Sequence, residues 1–382
     1  MTSWTSIVGV CVIIVALAAV TGWWRYVFAA WAIRPQKMRV DRLGLLVSTP
    51  ADIERVNSIL TSFAGGFNAM IARPSATAWK GYCESLPALN RPFAEEGAAM
   101  GYTLRGLFSY SPAAFEADIV RPRPEFRYLH YVGLGFWSGM RNHDARQLAR
   151  VTTGLDPLHG SLCYDGFGFQ CAFFDYAKDE ASLRKLDALE GYSRNAAYQG
   201  VGRALWFRFM DRPDLFVEHV SRFGVYASDA AAGAGLAMVF VNPDRMEIAR
   251  AWAAKMPLQW HPHVHLGMCF GIKARSINNV EQFEHDTAGL DSKVKDAIFA
   301  SIRECDRIEL LVRAERRQSL AKRLTGLLAD DAYRQWRTRV TQWMVDHVDY
   351  PLAGLKASQR VTSSVEPAAE PPVSGSARGW CA

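Results

Sequence analysis

The sequence predicts an all-α protein: an α-helical repeat array, or α-solenoid, with a period of about 33 residues, preceded by one transmembrane helix. Three observations support this fold class. A short glycine motif returns every 32 to 36 residues along the body. Amphipathic segments such as 180–190 and 213–223 lie between its copies. An uncharged stretch near the N terminus is long enough to cross a bilayer.

The N-terminal element is the uncharged stretch of 21 residues from Trp4 to Trp24. Its length suits a transmembrane helix, and tryptophans at both edges favour the headgroup layer. No Lys or Arg precedes the apolar run, which argues against a signal peptide. Basic residues follow it, so the positive-inside rule predicts a single-pass protein of the inner membrane with a cytoplasmic body. A cleaved signal peptide is the alternative, as is a helix that continues along the membrane surface over Tyr26–Ile33.

Four regions follow from this pattern. We predict a transmembrane helix at 4–24, a juxtamembrane linker at 25–50, a helical-repeat domain at 51–348 and a disordered tail at 356–382, which is rich in Ser, Pro, Ala and Glu. The 44 basic and 38 acidic residues form no basic run, so no nucleic-acid partner is predicted. Seven cysteines without a CxxC pair indicate neither a disulfide framework nor a cysteine zinc site.

The repeat is marked by its first glycine, which we call the lead glycine. The lead glycines are Gly97, Gly133, Gly166, Gly200, Gly233 and Gly267, with a weaker earlier copy at Gly65. Glycine inside a helix costs about 1 kcal/mol relative to Ala, so its regular return implies that helix backbones approach closely there. Loops that start at each glycine are the alternative. The apolar runs after the glycines contain no turn residues, which favours helices.

Four ordered motifs carry a family resemblance: FAEEGAAMG at 93–101, HYVGLGF at 130–136, YDGFGF at 164–169 and QGVGRALWF at 199–207. Together they resemble the DUF1702 family, whose members include the UnbL-type accessory proteins of enediyne biosynthesis. The resemblance spans roughly residues 52–348. It implies a setting in specialised metabolism, with enediyne- or polyene-type polyketide assembly, and supplies no mechanism. The family often carries a His after the third motif, where this chain has Gln170.

Stacked repeats would align equivalent residues in columns on one face. The candidate ligand-binding residues are Tyr131, Tyr164 and Tyr198, two positions before a lead glycine, and Glu96, Asp165 and Gln199, one position before. If both columns face a groove, they form an aromatic, mildly acidic trough for a long unsaturated ligand. Alternatively, the tyrosines pack between repeats and the acids cap helix starts.

Arg203 interrupts an apolar run, and its burial would require an acidic partner. Asp165 and Asp229, each from a neighbouring repeat, are the candidates. A contact with a carboxylate or phosphate of a substrate is the alternative role for this guanidinium.

The densest group of potential metal ligands is His261, His263 and His265. On a helix, His261 and His265 lie four residues apart on one face, a spacing that can hold a metal ion. No third ligand accompanies them, so a structural or solvent-exposed group is the alternative. Neutral imidazoles could also act as acid–base groups near pH 7.

Two functional hypotheses remain open. The first is a membrane-anchored accessory or binding protein that holds a hydrophobic small molecule or a partner protein of the membrane or of a biosynthetic system. The second is an enzyme, possibly metal-dependent, that acts on a polyene or polyketide intermediate. Its candidate catalytic residues are His261, His263, His265, Asp165, Glu96 and Arg203. The sequence identifies no cofactor.

Overall fold

Every element of the computed structural model is a helix, as the sequence predicts, and no strand occurs in the residues that it describes. These residues are 30–72, 76–105, 110–176, 180–318 and 331–347. The predicted transmembrane helix at 4–24 and the predicted tail at 356–382 lie outside them.

The α-helices are α1 (Val40–Leu43), α2 (Pro50–Ala72), α3 (Ala76–Ser85), α4 (Arg91–Arg105), α5 (Pro112–Phe115), α6 (Arg127–Met140), α7 (Ala145–Thr152), α8 (Leu162–Gln170), α9 (Tyr192–Arg208), α10 (Pro213–Ser221), α11 (Ala227–Val241), α12 (Met246–Ala253), α13 (His261–Asn278), α14 (Val280–Thr287), α15 (Ser292–Gln318) and α16 (Ala332–His347). Short 3₁₀ turns lie at Pro35–Lys37, Pro124–Phe126, His159–Ser161, Glu180–Ala188, Gly224–Tyr226 and Leu258–Trp260. Single π-turns at Glu116–Val120 and Cys171–Asp175 extend α5 and α8.

Seven of these helices form a buried layer and pack against one another in chain order. We call α2, α4, α6, α8, α9, α11 and α13 the inner helices. The shorter helices between them, such as α7 and α10, bury one face and leave the other exposed. This pattern follows from composition, because the inner helices are apolar around most of their circumference and the intervening ones are amphipathic.

The lead glycines lie inside the inner helices, so the helical interpretation of the motif is confirmed. A side chain on Gly200 would overlap the carbonyl of Asp165 on the preceding inner helix. A side chain on Gly202 would overlap the carbonyl of Ala230 on the following one. An inner helix that carries two such glycines, as α9 does, therefore contacts the preceding and the following inner helix at backbone-to-backbone distance.

The register of these contacts is constant. In each inner helix from α6 to α13, the lead glycine contacts the residue that directly precedes the lead glycine of the previous inner helix. Gly200, for example, contacts Asp165, which directly precedes Gly166. The contact between α4 and α2 follows the same rule only if the lead position of α2 is Ala64, because Gly97 meets Phe63 and Gly66 meets Ala94. The assignment of Gly65 as a lead glycine is therefore wrong by one residue. Gly65 faces Tyr82 of α3 instead.

The inner layer curves until its first helix meets later ones. Arg55 of α2 forms an ion pair of 2.7 Å with Asp244, just after α11. Phe93 of α4 packs edge-on against Phe240 of α11, with ring centroids 5.4 Å apart. Two helices from the C-terminal part, α15 and α16, pack against α13. The inner faces of the curved layer therefore enclose an interior space.

Among the described residues, one helical stretch, Gly224–Val241, has the length and apolar composition of a membrane span. Most of it is buried inside the protein, where α11 belongs to the inner layer.

Candidate functional site

Two cavities lie inside the curved layer. Cavity A has about 540 Å³ of free space, including its opening. It is lined by Tyr128, Leu129, Val132, Leu162, Asp165, Gln199, Arg203, Leu236, Phe240, Phe270, Lys273, Ala274, Tyr333 and Trp336. The inner helices from α6 to α13 supply most of this wall, and α16 supplies the rest.

Cavity B has about 460 Å³ of free space, including its opening. It is lined by Met38, Ile59, Leu60, Phe63, Phe93, Glu96, Phe136, Phe169, Phe173, Phe174, Arg203 and Phe207. Most of this wall is phenylalanine, including the stacked pair Phe169 and Phe173, with centroids 5.1 Å apart. Both cavities have the size of a small-molecule site, with few polar groups in a mainly apolar wall.

Arg203 belongs to the walls of both cavities. Its guanidinium lies 2.5 Å from the carboxylate of Asp165 on the neighbouring helix and 4.9 Å from the ring centre of Phe169. The predicted ion pair of Arg203 is thereby confirmed, with Asp165 of the preceding inner helix as the acid. The other candidate acid, Asp229, pairs with Arg337 of α16 at 2.8 Å.

A hydrogen-bond chain extends from this ion pair across the wall of cavity A. The amide of Gln199 donates to Asp165 at 2.7 Å, and the hydroxyl of Tyr333 donates to the Gln199 carbonyl oxygen at 3.1 Å. Burial raises the pKa of Asp165, and Arg203 opposes that rise. Because all these side chains are buried, the network fixes their orientation.

Glu96 lies in the wall of cavity B. Burial raises the pKa of its carboxyl group to about 7, the positive charge of Arg203 opposes this rise, and the negative charge of Asp165 adds to it. A carboxyl group with such a pKa exchanges its proton near neutral pH. Glu96, Asp165 and Arg203 are thus brought together at the boundary between the cavities.

Three buried donor atoms in the wall of cavity A lack a hydrogen-bond partner within the described parts of the chain. They are the hydroxyl oxygen of Tyr128 and the Nε and Nη2 atoms of Arg203, of which Nη2 forms the ion pair with Asp165. Buried polar atoms are nearly always paired, and an unpaired donor in a cavity wall is suited to an acceptor on a bound molecule. Lys273, in the same wall, pairs with Asp306 of α15.

The tyrosine column makes its contacts outside the walls of both cavities. Tyr131 donates to Glu116 at 2.6 Å, the hydroxyl of Tyr164 lies 3.1 Å from that of Thr152, and Tyr198 stacks on Tyr226 with centroids 4.5 Å apart. Of the six candidate ligand-binding residues, the cavity walls therefore contain Glu96, Asp165 and Gln199.

The histidine group lies at the start of α13, away from the two cavity walls. The rings of His261 and His265 are 6.2 Å apart, and Nε2 of His261 lies 3.0 Å from the carbonyl oxygen of Met256. Burial lowers the pKa of His265 to about 4, and it also lowers the pKa of His263. Within the described ranges, no group of three or more His, Cys, Asp or Glu side chains is arranged to hold a metal ion.

Sequence reasoning missed the apolar residues of the cavity A wall and four residues there whose side chains carry a nitrogen or oxygen atom: Tyr128, Lys273, Tyr333 and Trp336. Lys273 had a usable signal, because it interrupts an apolar run as Arg203 does. The two aromatic residues from α16, Tyr333 and Trp336, had no such signal, since about 60 residues separate them from the nearest other wall residue, Ala274. Gln170, at the position where the family often has His, packs against Gly139.

The comparisons with known proteins give one match. No curated protein and no solved structure matches the chain. A family model described as "Protein of unknown function (DUF1702)" matches residues 24–344, which include every helix that contributes to the two cavities. The chain therefore belongs to the DUF1702 family.

Proposed function

We propose that this protein is a membrane-anchored binding protein that holds an elongated hydrophobic intermediate of specialised metabolism, of the enediyne or polyene polyketide type, inside an α-helical repeat array. The observation that carries the proposal is the pair of interior cavities that meet at Arg203. Their walls are mainly aromatic and aliphatic, which suits a narrow unsaturated chain. A transmembrane helix at 4–24 would place this array at the inner membrane, on the cytoplasmic side.

The repeat-array part of the proposal is supported by the constant register of the glycine contacts between successive inner helices. Each unit consists of an inner helix and the shorter helix or turn that follows it. Such a unit buries its apolar face only by stacking on the next unit.

The ligand's polar group is suggested by the unpaired donors. The hydroxyl of Tyr128 and the Nε atom of Arg203 would both be satisfied by a hydrogen-bond acceptor such as a carbonyl or carboxylate oxygen. Since Arg203 and Lys273 already face carboxylates, the wall does not require a charged ligand. The proposed ligand is thus a long apolar chain that carries at least one acceptor oxygen.

The test uses trans-parinaric acid, a linear conjugated tetraene with one carboxylate, and the full chain in lipid nanodiscs. Binding is measured as energy transfer from tryptophan, with empty nanodiscs as the blank. We expect saturable binding of one probe molecule per chain. Absence of saturable transfer would contradict the proposal.

Two variants locate the probe in cavity A. Ala274→Phe would fill part of the cavity and weaken binding by about tenfold or more, since it replaces free space with a ring. Ala251→Phe is the matched control, because Ala251 is exposed on α12. Tyr128→Phe removes only the unpaired hydroxyl and would weaken binding by about fivefold while preserving the unfolding midpoint. Equal affinities for all three variants and the wild type would place the probe elsewhere.

An enzyme that acts on such an intermediate is the second candidate, and the pKa of Glu96 favours it. A carboxyl group with a pKa of about 7 in a cavity wall can donate or accept a proton. If Glu96 is catalytic, Glu96→Gln would retain probe binding, and the producing cells would accumulate an unconverted intermediate. Normal product from that variant would exclude this role for Glu96.

A further inference from the structure

The N-terminal strap, residues 30–48, forms part of the wall of cavity B. Residues 30–37 of the strap include no buried residue, and from Met38 onward buried residues such as Met38 and Val40 are interspersed with exposed ones such as Arg39. Met38 lines the cavity directly. The strap thus separates the ligand space from the exterior along one side.

Hydrogen bonds attach the strap to the body at three places. The side chain of Asn68 on α2 exchanges two hydrogen bonds of 2.8 Å with the backbone of Ile33. The backbone N–H of Val40 donates to Asn57 at 2.9 Å. At the end of the strap, the backbone of Leu46 bonds to the backbones of Arg208 and Asp211, and Ser48 donates to the carboxylate of Asp211. A segment with widely spaced attachments and one exposed face can open locally at low cost in free energy.

An exposed apolar patch lies where the strap begins. Trp31 is 40% exposed and lies 6.0 Å from Trp137, and Met140, at the end of the same helix as Trp137, is 42% exposed. The guanidinium of Arg141 lies 5.9 Å from the ring centre of Trp137. Tryptophan, an apolar side chain and arginine in one exposed group are typical of the membrane–water interface.

The charge of the strap matches an anionic surface. It contains four basic residues and one acidic residue, Asp41, and all five are exposed. Basic residues close to an anionic bilayer are attracted to its surface charge. The uncharged stretch 4–24 ends a few residues before Trp31. Charge, exposed aromatic surface and position in the chain therefore identify the same occupant, a lipid bilayer.

We propose that the patch of Trp31, Met140 and Arg141, together with the basic strap, rests on an anionic membrane, and that the ligand passes between the bilayer and cavity B beneath the strap at Met38. The entry route rests on the proposed binding function; the docking surface does not. The partner is the lipid surface itself, and the ligand reaches its cavity without crossing bulk water.

Docking is tested with the full chain in vesicles whose lipids carry bromine on the acyl chains, which quenches nearby tryptophans. We compare the wild type with Trp31→Phe, so that the difference reports on Trp31 alone. Quenching of Trp31 that is stronger in vesicles with phosphatidylglycerol than in pure phosphatidylcholine is expected. Equal quenching of the wild type and the variant would overturn the docking surface.

Entry is tested by loading the same vesicles with trans-parinaric acid and following its transfer to the protein. We expect Arg34→Gln/Lys37→Gln to slow transfer from anionic vesicles by about tenfold, with unchanged equilibrium affinity. Arg146→Gln/Arg150→Gln removes two exposed charges from α7 and is the matched control. Equal rates for both double variants would overturn the entry route. If no probe binds at equilibrium, the binding function and the route both fail, and Trp31 quenching still decides the docking surface.

Discussion

Cavity A and cavity B share Arg203 but differ in how their charges are balanced. In cavity A, Asp165 and Lys273 each face a partner of opposite charge. In cavity B, Glu96 lies among phenylalanines, and burial raises its pKa to about 7. Cavity A therefore has paired charges in its wall, whereas cavity B has a buried carboxyl group whose pKa lies near neutrality. The difference shows that one apolar interior can combine a fixed polar wall with a titratable one.

The sharpest test of this comparison removes the residue that both cavities share. Arg203→Met would leave the Asp165 carboxylate buried without its partner and lower the free energy of unfolding by about 3–5 kcal/mol. Urea unfolding monitored by tryptophan fluorescence measures the change. Adding Asp165→Asn should restore part of the loss, because it removes the unpaired charge.

The control for that experiment is an exposed ion pair. Arg212 and Asp214 lie 2.6 Å apart, with both side chains more than half exposed. Arg212→Met should therefore leave the free energy of unfolding almost unchanged, because water screens an exposed ion pair. Similar effects for the two methionine variants would mean that the shared arginine is not a buried charge.

The next test concerns the titratable wall. The folded-state pKa of Glu96 is raised above its usual value of 4.5, so the proton stabilises the folded state. The protonated Glu96 contributes about 3 kcal/mol to the free energy of unfolding. This contribution is fully present below about pH 4.5 and is lost as the pH rises through about 7. Relative to Glu96→Gln, the wild type should become progressively less stable between pH 5 and 8, as measured by unfolding midpoints.

Glu54→Gln provides the control, because Glu54 is exposed on α2. Its stability difference from the wild type should stay constant over the same pH range. A constant difference for Glu96→Gln as well would show that cavity B does not titrate near neutrality.

The smallest expected effect compares a glycine at a contact between inner helices with a glycine that contacts no other helix in the described part of the chain. Gly200→Ala would push α9 away from the Asp165 carbonyl and lower stability by about 1–3 kcal/mol. Gly81→Ala, on α3 with open space around it, should raise stability by up to about 1 kcal/mol through helix propensity. The unfolding midpoints of the two variants are measured by thermal denaturation. Equal shifts of the two midpoints from the wild-type value would contradict the close backbone contact at Gly200.

The all-helical character of the described residues and part of the site could be predicted because both depend on local spacing. The interval between glycines identifies the inner helices, and the interrupted apolar run identifies Arg203 and its acidic partner. The lead position in α2 was misplaced by one residue because Gly65 and Gly66 are adjacent, and the sequence does not show which of the two meets a backbone.

The remaining features depend on contacts between segments that are far apart in the sequence. Tyr333 and Arg337 reach the network around Asp165 and Asp229 from α16, and no local pattern specifies that contact. The sequence also did not show which of the two columns beside the lead glycines faces the cavities. A shift of one position along a helix rotates a side chain by about 100° around the helix axis. This rotation separates Glu96, Asp165 and Gln199 from the tyrosines.

The paired glycine contacts have a consequence for how this protein can change over evolution. Because neighbouring inner helices touch through backbone atoms, their spacing is specified by glycines that do not line either cavity. Side chains such as Leu236 or Phe207, which do line them, can be exchanged without altering that spacing. The residues that set the helix spacing are therefore different from the residues that line the cavities. Substitutions in the lining can change the shape and polarity of the cavities while the helical scaffold stays the same.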